Sequence, residues 1–582
     1  MKNQEIARIF NEIADRLEIK GENLFRIRAY RRAALNVEGL PKNIEDVPEK
    51  ELVKVPGIGR DLAGKIHEYL TSGKIQAYEE LKNEMPKELL TLLSVPSLGP
   101  KTAKLLYDTL HVESLDELER LASEHKLAGL PGIKEKTEEN ILKGLATLKR
   151  GKERRPLGRV LPLAEDILGY LRKHAPVNNI DIAGSLRRRK DTIKDIDLLA
   201  TSDRPAEAMK VFTRHPEVKE ILAQGPTKSS IIINADLQVD LRVVPRESYG
   251  AALVYFTGSK AHNIRLREMA IRMGMKINEY GISRESDNRK LGGEREDDIY
   301  RILGLSYIPP ELREDLGEIE AAAEGDLPHL VMPGDLKGDL HVHSKWSDGG
   351  NTFEQLVEAA RELGYSYIAI TDHSRGLAVA HGLTVERLME QKREIQALNK
   401  KLRGFRILHG TEMDIRSDGR LDFPDSALRE LDIVVASLHS GFRQSVQQLT
   451  YRMVSAMKNP YVSIVAHPTG RLIGERDAYE LDMDEIFRVA GETGTALEIN
   501  ASPFRLDLND ISVRRAKEMG VAIVISTDTH ATDQFGLMDY GVSVARRGWL
   551  EKKDILNTLP TDLLLKKLKP QSRRQAPAQS HR

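Results

Sequence analysis

Two groups of side chains in this sequence have types and spacings that could do chemistry. The first begins at Asp181-Ile-Ala-Gly184-Ser185 and continues to Asp195-Ile-Asp197. Alternate side chains share one face of a strand, so Asp195 and Asp197 project together. Two adjacent carboxylates repel unless cations lie between them. Mg²⁺ prefers oxygen ligands and substrate phosphates and is the natural partner. Further on, Leu237, Val239, Leu241 and Val243 alternate with Asp240 and Arg242. A third aspartate on a neighbouring strand would complete a two-metal site for in-line displacement at phosphorus. An Asp-x-Asp pair alone says little, because surface strands are rich in acids. Gly184-Ser185 adds a tight turn able to hold phosphate, and the later Tyr255-Phe-Thr-Gly-Ser259 strengthens the reading further.

The second group is built on histidine. Half of the 16 histidines lie between Asp339 and His530. They fall in His341-x-His343, His373 (preceded by Asp372), His381, His409, His439, His467 and Asp528-x-His530, with Asp348 and Glu412 between them. His-x-His on a strand places both imidazoles on one face. Mixed imidazole and carboxylate donors without thiolate suit Mn²⁺, Zn²⁺ or Fe²⁺. Singly, His409 or His381 reads as a hydrogen-bonded core or surface histidine. Arg471, after His467-Pro-Thr-Gly, is a candidate phosphate clamp, with a plain surface arginine as the alternative. The sequence has no cysteine, which excludes disulfides, a thiol nucleophile and Cys-ligated zinc or iron–sulfur sites.

The elements that must carry these residues can be read from patterning. From Asp339 onward, apolar runs end repeatedly in polar residues: before Thr371-Asp372-His373, His409 to Glu412, His439, His467, Asn500, and Thr527 to His530. Continuous apolar runs suit parallel strands buried on both faces. Polar residues at strand C-termini are where a β/α barrel keeps its site. Residues 160–300 carry β-rich runs at Ile180–Ala183, Ile196–Ala200, Ser230–Asn234, Leu237–Val244 and Leu253–Phe256. Ile308 to Gly338 is acidic and punctuated by proline and glycine, which reads as an interdomain connector. In the first 150 residues, Val55-Pro-Gly-Ile-Gly59, Val95-Pro-Ser-Leu-Gly99 and Leu130-Pro-Gly-Ile-Lys134 look alike. A glycine turn feeding a helix points backbone N–H groups at an anion, a way to hold nucleic-acid phosphate without reading bases.

A chain of 582 residues suggests about four domains at ~150 residues each. Lys+Arg and Asp+Glu number 88 each, giving zero net charge, which excludes a globally basic nucleic-acid binder but not local patches. Such patches are Lys149 to Arg159, Arg187 to Lys190, and the tail bearing Lys566, Lys567, Lys569, Arg573 and Arg574. No apolar run reaches the ~20 residues needed to cross a bilayer. The first twenty residues read as an amphipathic helix with Ile6, Ile9, Phe10, Ile13 and Leu17 on one face, not as a signal peptide. A cytoplasmic protein is expected.

With these motifs in place, residues 1–320 resemble the family X DNA polymerases, and the whole chain resembles the bacterial members with a C-terminal PHP domain. The resemblance implies a multidomain α and α/β protein. Its parts would be a helix–hairpin–helix head (1–90), fingers (91–155), a nucleotidyltransferase palm with a mixed sheet (156–258), a thumb (259–317), an acidic linker (318–337), a distorted (β/α)₇ PHP barrel (338–570) and a basic tail (571–582).

The resemblance also implies roles. Asp195 and Asp197 would bind two Mg²⁺ ions, and Asp240 the one nearest the primer 3′-OH. Gly184, Ser185 and Arg188 would hold the nucleotide phosphates. Tyr255, Phe256 and Gly258 would lie under its sugar, and Asn263 would reach its base. Arg267 and Tyr280 match template-side and palm–thumb positions. Lys65 falls at the family's Schiff-base lysine, and Arg26 and Tyr30 lie around the downstream 5′-phosphate. Gly57, Gly59 and Gly99 belong to the DNA-gripping turns. Asp61 departs from the pattern, standing where a phosphate-binding lysine is expected. Carbonyls of Val53, Val55 and Ile58, and of Leu93, Val95 and Leu98, could bind a monovalent cation. The PHP ligands would be His341, His343, Asp348, His373, Glu412, His439, His467, Asp528 and His530, holding up to three Mn²⁺ or Zn²⁺ ions with Glu412 as a bridge.

The implied function is gap-filling, template-directed DNA synthesis coupled to a Mn²⁺-dependent 3′→5′ exonuclease acting also on abasic or 3′-blocked ends, in base excision repair. The implied partners are gapped or nicked DNA with a 5′-phosphate, dNTPs and a DNA ligase receiving the product. No membrane is involved, and a monomer is expected. The alternatives are a template-independent nucleotidyltransferase, a small-molecule PHP phosphatase fused to a polymerase, and an inert DNA-end scaffold.

Overall fold

The computed structural model describes residues 2–38, 44–53, 57–84, 92, 95, 98, 100–112, 114–131, 133–151 and 154–568. Val55, Leu93, Gly99 and the tail 571–582 lie outside the described residues. Residues 1–155, 163–188 and 192–326 form one compact unit, and 156–162, 189–191 and 327 onward form another.

The first unit opens with helices Lys2–Lys20 and Leu24–Glu38. Ile6, Ile9, Phe10, Ile13 and Leu17 are buried, as the amphipathic pattern requires. Gly57 has φ +78°, the left-handed region glycine enters without cost. Gly59 then precedes helix Arg60–Ser72. Helices Pro100–Leu110, Leu115–Ser123 and Glu135–Gly151 add to the same apolar core. No described helix is long and apolar enough to cross a membrane.

The segment expected as a palm folds as a five-stranded sheet. In chain order its strands are β1 (Asn179–Ile182), β2 (Asp195–Thr201), β3 (Val218–Gln224), β4 (Lys228–Ile233) and β5 (Gln238–Val243). The spatial order is β1-β2-β5-β4-β3. Strands β2 and β5 run parallel with Asp197 opposite Asp240, and the remaining pairs are antiparallel. On β5 the odd-numbered residues are buried and the even-numbered ones half-buried, the alternation expected from sequence. The run Leu253–Phe256 is not a strand. It lies in helix Tyr249–Thr257, buried at Ala251, Ala252, Leu253 and Val254. A short run that is apolar on every side has the same pattern in a buried helix as in a buried strand.

Helix Lys260–Arg272 follows, capped by Ser259 Oγ accepting from the His262 N–H. A three-stranded antiparallel sheet comes next: β6 (Met275–Asn278), β7 (Gly281–Arg284) and β8 (Lys290–Gly292). The acidic stretch expected as a connector is folded into this unit as far as Asp326. Glu318 starts helix Glu318–Glu324 and is fully buried. It pairs with His262 Nδ1 at 2.6 Å and accepts the Asp315 and Leu316 N–H groups at 2.8 and 2.7 Å. Acids with such partners are core elements, which composition alone misreads as solvated linker.

Glu296 ties the same region to the palm. Its carboxylate is bidentate to Arg187 at 2.8 and 2.7 Å and also accepts from Arg313, itself wholly buried, at 2.7 Å. Burial pushes Glu296 up, but the two guanidiniums override it and hold its pKa at about 2. Glu296→Gln should therefore cost about 3–5 kcal/mol, because two guanidiniums lose their counter-charge. The sign in pH follows from the depressed value. The stabilisation is complete above the ordinary 4.5 and is lost as pH falls toward 2. Thermal melts of both proteins between neutral and acid pH check this: the gap should close on acidification.

The second unit is a parallel barrel of seven strands: β9 (Gly338–Val342), β10 (Tyr367–Ile370), β11 (Arg406–Asp414), β12 (Ile433–Ser437), β13 (Ile464–Val465), β14 (Ala496–Asn500) and β15 (Ile523–Ser526). They neighbour one another in chain order. A bridge from Val342 to Thr529 brings the last strand back to the first, so the barrel is nearly closed. Leu340, Tyr367, Ala369, Leu408, Ile433, Val435 and Val524 form one apolar cluster with Leu564 and Leu568 of helix Thr561–Leu568. Lys566 and Lys567 are thus part of a packed helix. The other face of the strands packs on Leu356, Leu388, Met453, Phe487, Val513 and Val542 of the intervening helices.

Candidate active sites

In the palm, parallel pairing sets Asp195 and Asp197 of β2 beside Asp240 of β5. Burial lifts Asp197 first, and the nearby charges of Asp195 and Asp240 add to it, so its pKa reaches about 7. Burial also raises Asp195. Carboxylates that resist ionising together form a low-energy site once divalent cations neutralise them, so the donor set fits Mg²⁺. Gln238 was not singled out from sequence. Its Nε2 donates to both Asp240 oxygens at 3.1 and 3.2 Å. It shares Asp240's strand face, and that two-residue spacing was its only signal.

Gly184 begins the short helix Gly184–Arg187, with φ +64°, and Ser185 follows it. A Cβ at Gly184 would lie 2.3 Å from Asp197 Oδ2. Gly184→Ala should thus move both the turn and the aspartate. We expect kcat/KM for any phosphoryl transfer at these carboxylates to fall about 100-fold, the scale of a 1 Å misplacement, in a steady-state assay. Arg188 reaches Glu314 at 3.0 Å and the Thr257 carbonyl at 2.6 Å, so its guanidinium is already braced beside the turn. Tyr255 and Phe256 meet edge to face at 5.0 Å, and Arg242 lies 4.7 Å over the Phe256 ring. Asn263 Nδ2 donates to the Tyr255 carbonyl at 2.6 Å, Gly258 caps the helix bearing the two rings, and Arg267 stands 5.9 Å over Tyr255. Tyr280 is exposed in the β6–β7 turn.

The head places its expected residues less uniformly. Tyr30 is 2% exposed and packs edge to face on Phe10 at 5.6 Å. It is a core residue here, which corrects the expectation of a phosphate contact: the helix turns its apolar face, Ile27 and Tyr30 included, inward. Arg26 is exposed and pairs with Glu22 at 3.6 Å. Lys65 is ion-paired with Asp61, the residue that departs from the family pattern. Gly57 lies tight against Arg32, where a Cβ would fall 2.8 Å from its side chain, and Gly59 is exposed. Val53, Ile58, Val95 and Leu98 are described, but Val55, Leu93 and Gly99 are not, so the cation-binding carbonyls are incomplete among the described residues.

The barrel gathers its histidines at the strand C-termini. His343, Asp348, His373 and His530 form one group able to hold a metal ion; His341, His343, Glu412 and Asp528 form a second; His373, Glu412 and His439 form a third. Asp348 lies 3.6, 3.5 and 3.4 Å from His343, His373 and His530. Asp528 lies 3.5 and 3.1 Å from His341 and His343. Glu412 is the hub. Its oxygens stand 2.8 Å from His373 and 3.1 Å from both His439 and His467, with His341 and His343 at 3.4 and 3.6 Å.

His341 Nε2, both His343 nitrogens and Glu412 Oε2 are buried and lack a hydrogen bond. Orphaned donor atoms converging on one space fit divalent metals. Burial would push Glu412 up, but His373, His439 and His341 hold it far below the ordinary range. Burial pushes His373 and His439 down, yet Glu412 leads the opposing charges and their pKa values rise to about 10 and 9.

Other marked residues fall outside the cluster. His409 is a core histidine, 3.2 Å from Gln391 Oε1, and the main-chain carbonyl of His381 accepts from Arg387. Asp372 serves structure, accepting from Ser344 Oγ and Gln391 Nε2 at 2.6 Å each. Arg471 donates to the carbonyls of Arg505, at 2.7 Å, and Leu506, at 2.5 Å, which makes it a loop brace. Asp414, 3.6 Å from His439, and Glu498, 2.8 Å from His341, escaped the sequence reading. Glu498 lies within an apolar strand run, where a lone acid resembles an interruption, and Asp414 ends its strand two residues after Glu412.

Family models match four segments: a helix-hairpin-helix domain at residues 1–75, a SAM-like helix-hairpin-helix tandem at 89–147, a DNA polymerase beta thumb at 252–314 and a PHP domain at 339–502. The chain is 41% identical over 559 residues to the DNA polymerase/3′-5′ exonuclease PolX of Bacillus subtilis (strain 168), covering 96% of this chain and 97% of that one. It is 31% identical over 236 residues to a probable phosphatase of Thermoanaerobacter sp. (strain X514), covering 38% of this chain and 91% of that protein. A probable phosphatase of Caldanaerobacter subterraneus subsp. tengcongensis is 32% identical over 233 residues, covering 38% and 86%.

Proposed function

The chain belongs to the PolX family of DNA polymerases with a PHP domain, and from that premise we propose that it fills short gaps in damaged DNA and trims 3′ ends in its barrel. The observation that carries the palm assignment is the parallel register of β2 and β5, which brings Asp195, Asp197 and Asp240 together. These residues would hold Mg²⁺, which when bound stabilises the charge that develops on the phosphates during displacement. The Gly184 turn presents backbone to the nucleotide phosphates, with Ser185 and Arg188 beside it. Tyr255 and Phe256 crowd the sugar and so favour deoxynucleotides. The helix–hairpin–helix turns grip the DNA backbone on both sides of the gap, a contact independent of sequence.

In the barrel, the histidine and carboxylate cluster would hold Mn²⁺ or Zn²⁺, which supplies an activated water and a Lewis acid. Glu412 would sit at the hub of the ligand set, with Asp348 and Asp528 as further carboxylate ligands beside the outer histidines. We assign it 3′→5′ exonuclease activity, including abasic and blocked 3′ ends, in base excision repair. Filling a one-nucleotide gap leaves a nick with a 5′-phosphate, the substrate for a ligase. The Lys65–Asp61 pair argues against an efficient Schiff-base lyase, because the amine must be free to attack a sugar aldehyde.

The test uses one labelled primer on a single-nucleotide gap with a 5′-phosphate, with Mg²⁺ or Mn²⁺, with and without dNTPs. Templated one-base extension should vanish only in the Asp195→Ala/Asp197→Ala double variant. Mn²⁺-dependent shortening should vanish only in His341→Ala/His343→Ala. Wild type that neither extends nor shortens would leave a DNA-end scaffold. Hydrolysis of a simple phosphomonoester but not of DNA would make the barrel a small-molecule phosphatase; the shorter relatives are named probable phosphatases.

A further inference from the structure

Glu498 is a fully buried carboxylate on β14. Its neighbours Leu497 and Ile499 face the helices, so alternation turns Glu498 toward the barrel interior. There it meets donors from three places. Oε1 lies 2.8 Å from His341 Nδ1, Oε2 accepts the main-chain N–H of His467 at 2.7 Å, and Asn500 Nδ2 donates to Oε2 at 3.3 Å. His341 belongs to β9 and His467 follows β13. One carboxylate therefore registers two histidines carried by different strands.

The tautomer follows from the partner. A carboxylate beside Nδ1 requires a proton there, which leaves Nε2 with its lone pair free. That Nε2 faces Glu412 Oε2 at 3.4 Å and Asp528 Oδ1 at 3.5 Å. His467 has φ +28°, a backbone few non-glycine residues adopt, and its Nε2 reaches Glu412 Oε1 at 3.1 Å. The N–H bond to Glu498 holds that turn in the orientation that aims the ring at Glu412. Burying a carboxylate is costly unless it is paired and hydrogen-bonded, as Glu498 is.

We infer that Glu498 is a positioning residue that orients His341 and His467 for metal binding in the barrel. The inference rests on the metal-centre reading above. A carboxylate donating order to a metal-bound imidazole in this way changes metal affinity roughly 10- to 100-fold when removed. Glu498→Gln separates its two tasks. The amide oxygen can still accept from His341 Nδ1–H, but the NH₂ group cannot accept from the His467 N–H. Glu498→Ala loses both.

The test is Mn²⁺ titration of the full-length protein followed by electron paramagnetic resonance, with melting temperatures in chelator and in Mn²⁺. Affinity should fall in the order wild type, Gln, Ala. The Mn²⁺-induced rise in melting temperature should shrink in the same order, with primer extension in Mg²⁺ unchanged. Equal Mn²⁺ affinity in wild type and both variants would overturn the inference while leaving the metal centre standing. So would a loss of affinity that merely follows loss of the folded barrel in chelator. Wild type that binds no Mn²⁺ would overturn the metal-centre reading itself, and this inference with it.

Discussion

Asp197→Asn should lower primer extension by about 10³-fold, equivalent to ~4 kcal/mol of transition-state stabilisation. Asparagine keeps the volume and the strand, so the loss reports charge. Among the palm carboxylates, Asp197 has the most to lose. It stands between Asp195 and Asp240, and its pKa is pushed up to about 7, by burial first and by those two carboxylates next. It also sits against Gly184, in the turn proposed to hold phosphate. Removing its charge would leave a bound cation misplaced against the phosphates it must neutralise. Single-turnover extension over a range of Mg²⁺ concentrations checks this. The loss should lie in the rate at saturating nucleotide and should not be recovered by raising Mg²⁺. Shortening of the same primer in Mn²⁺ should persist at the wild-type rate, because the barrel ligands lie in the other compact unit. A loss below tenfold would remove Asp197 from the metal-binding set.

The palm and barrel sites were legible in the sequence for a common reason. Strand alternation turns spacing into shared direction, so Asp195-x-Asp197 and His341-x-His343 declare a face before any coordinates exist. Apolar runs ending in His or Asp likewise announced the barrel's strand ends. What stayed hidden depends on partners far away in the chain. Glu318 reads as a linker acid until His262, 56 residues earlier, is seen beside it. Tyr30 matches a position around a 5′-phosphate until Phe10 meets its ring. Leu253–Phe256 reads as strand because complete burial erases the period that separates helix from strand. Gln238, Asp414 and Glu498 act on neighbouring functional residues, and a residue of that kind carries no motif of its own.

Glu412→Gln should abolish the barrel's DNA-shortening activity, by about 10³-fold or more, and leave primer extension intact. The argument is again one of charge placement. Glu412 is 1% exposed and faces five imidazoles, all within 3.6 Å. Glutamine preserves the shape but offers one acceptor oxygen and an NH₂ group that repels cations. Two of the candidate metal groups include Glu412, so both should fail together, and chelation should change the protein's melting temperature less than it does in wild type.

The metal-free protein gives an independent reading of the same residue. Glu412 leads the charges that lift His373 to about 10 and His439 to about 9 against the pull of burial. A raised histidine contributes stability that is complete below its ordinary 6.5 and is lost as pH rises through the folded value. In chelator, the Gln variant should therefore be less stable than wild type by about 3 kcal/mol near neutral pH, the cost of breaking a buried pair. The difference should narrow as pH climbs toward 10. With Mn²⁺ present the trend should change sign in wild type alone, because metal competes with those protons and binds better as pH rises. A pH-independent difference in chelator would mean that Glu412 only fills space, and the hub role given to it here would fail.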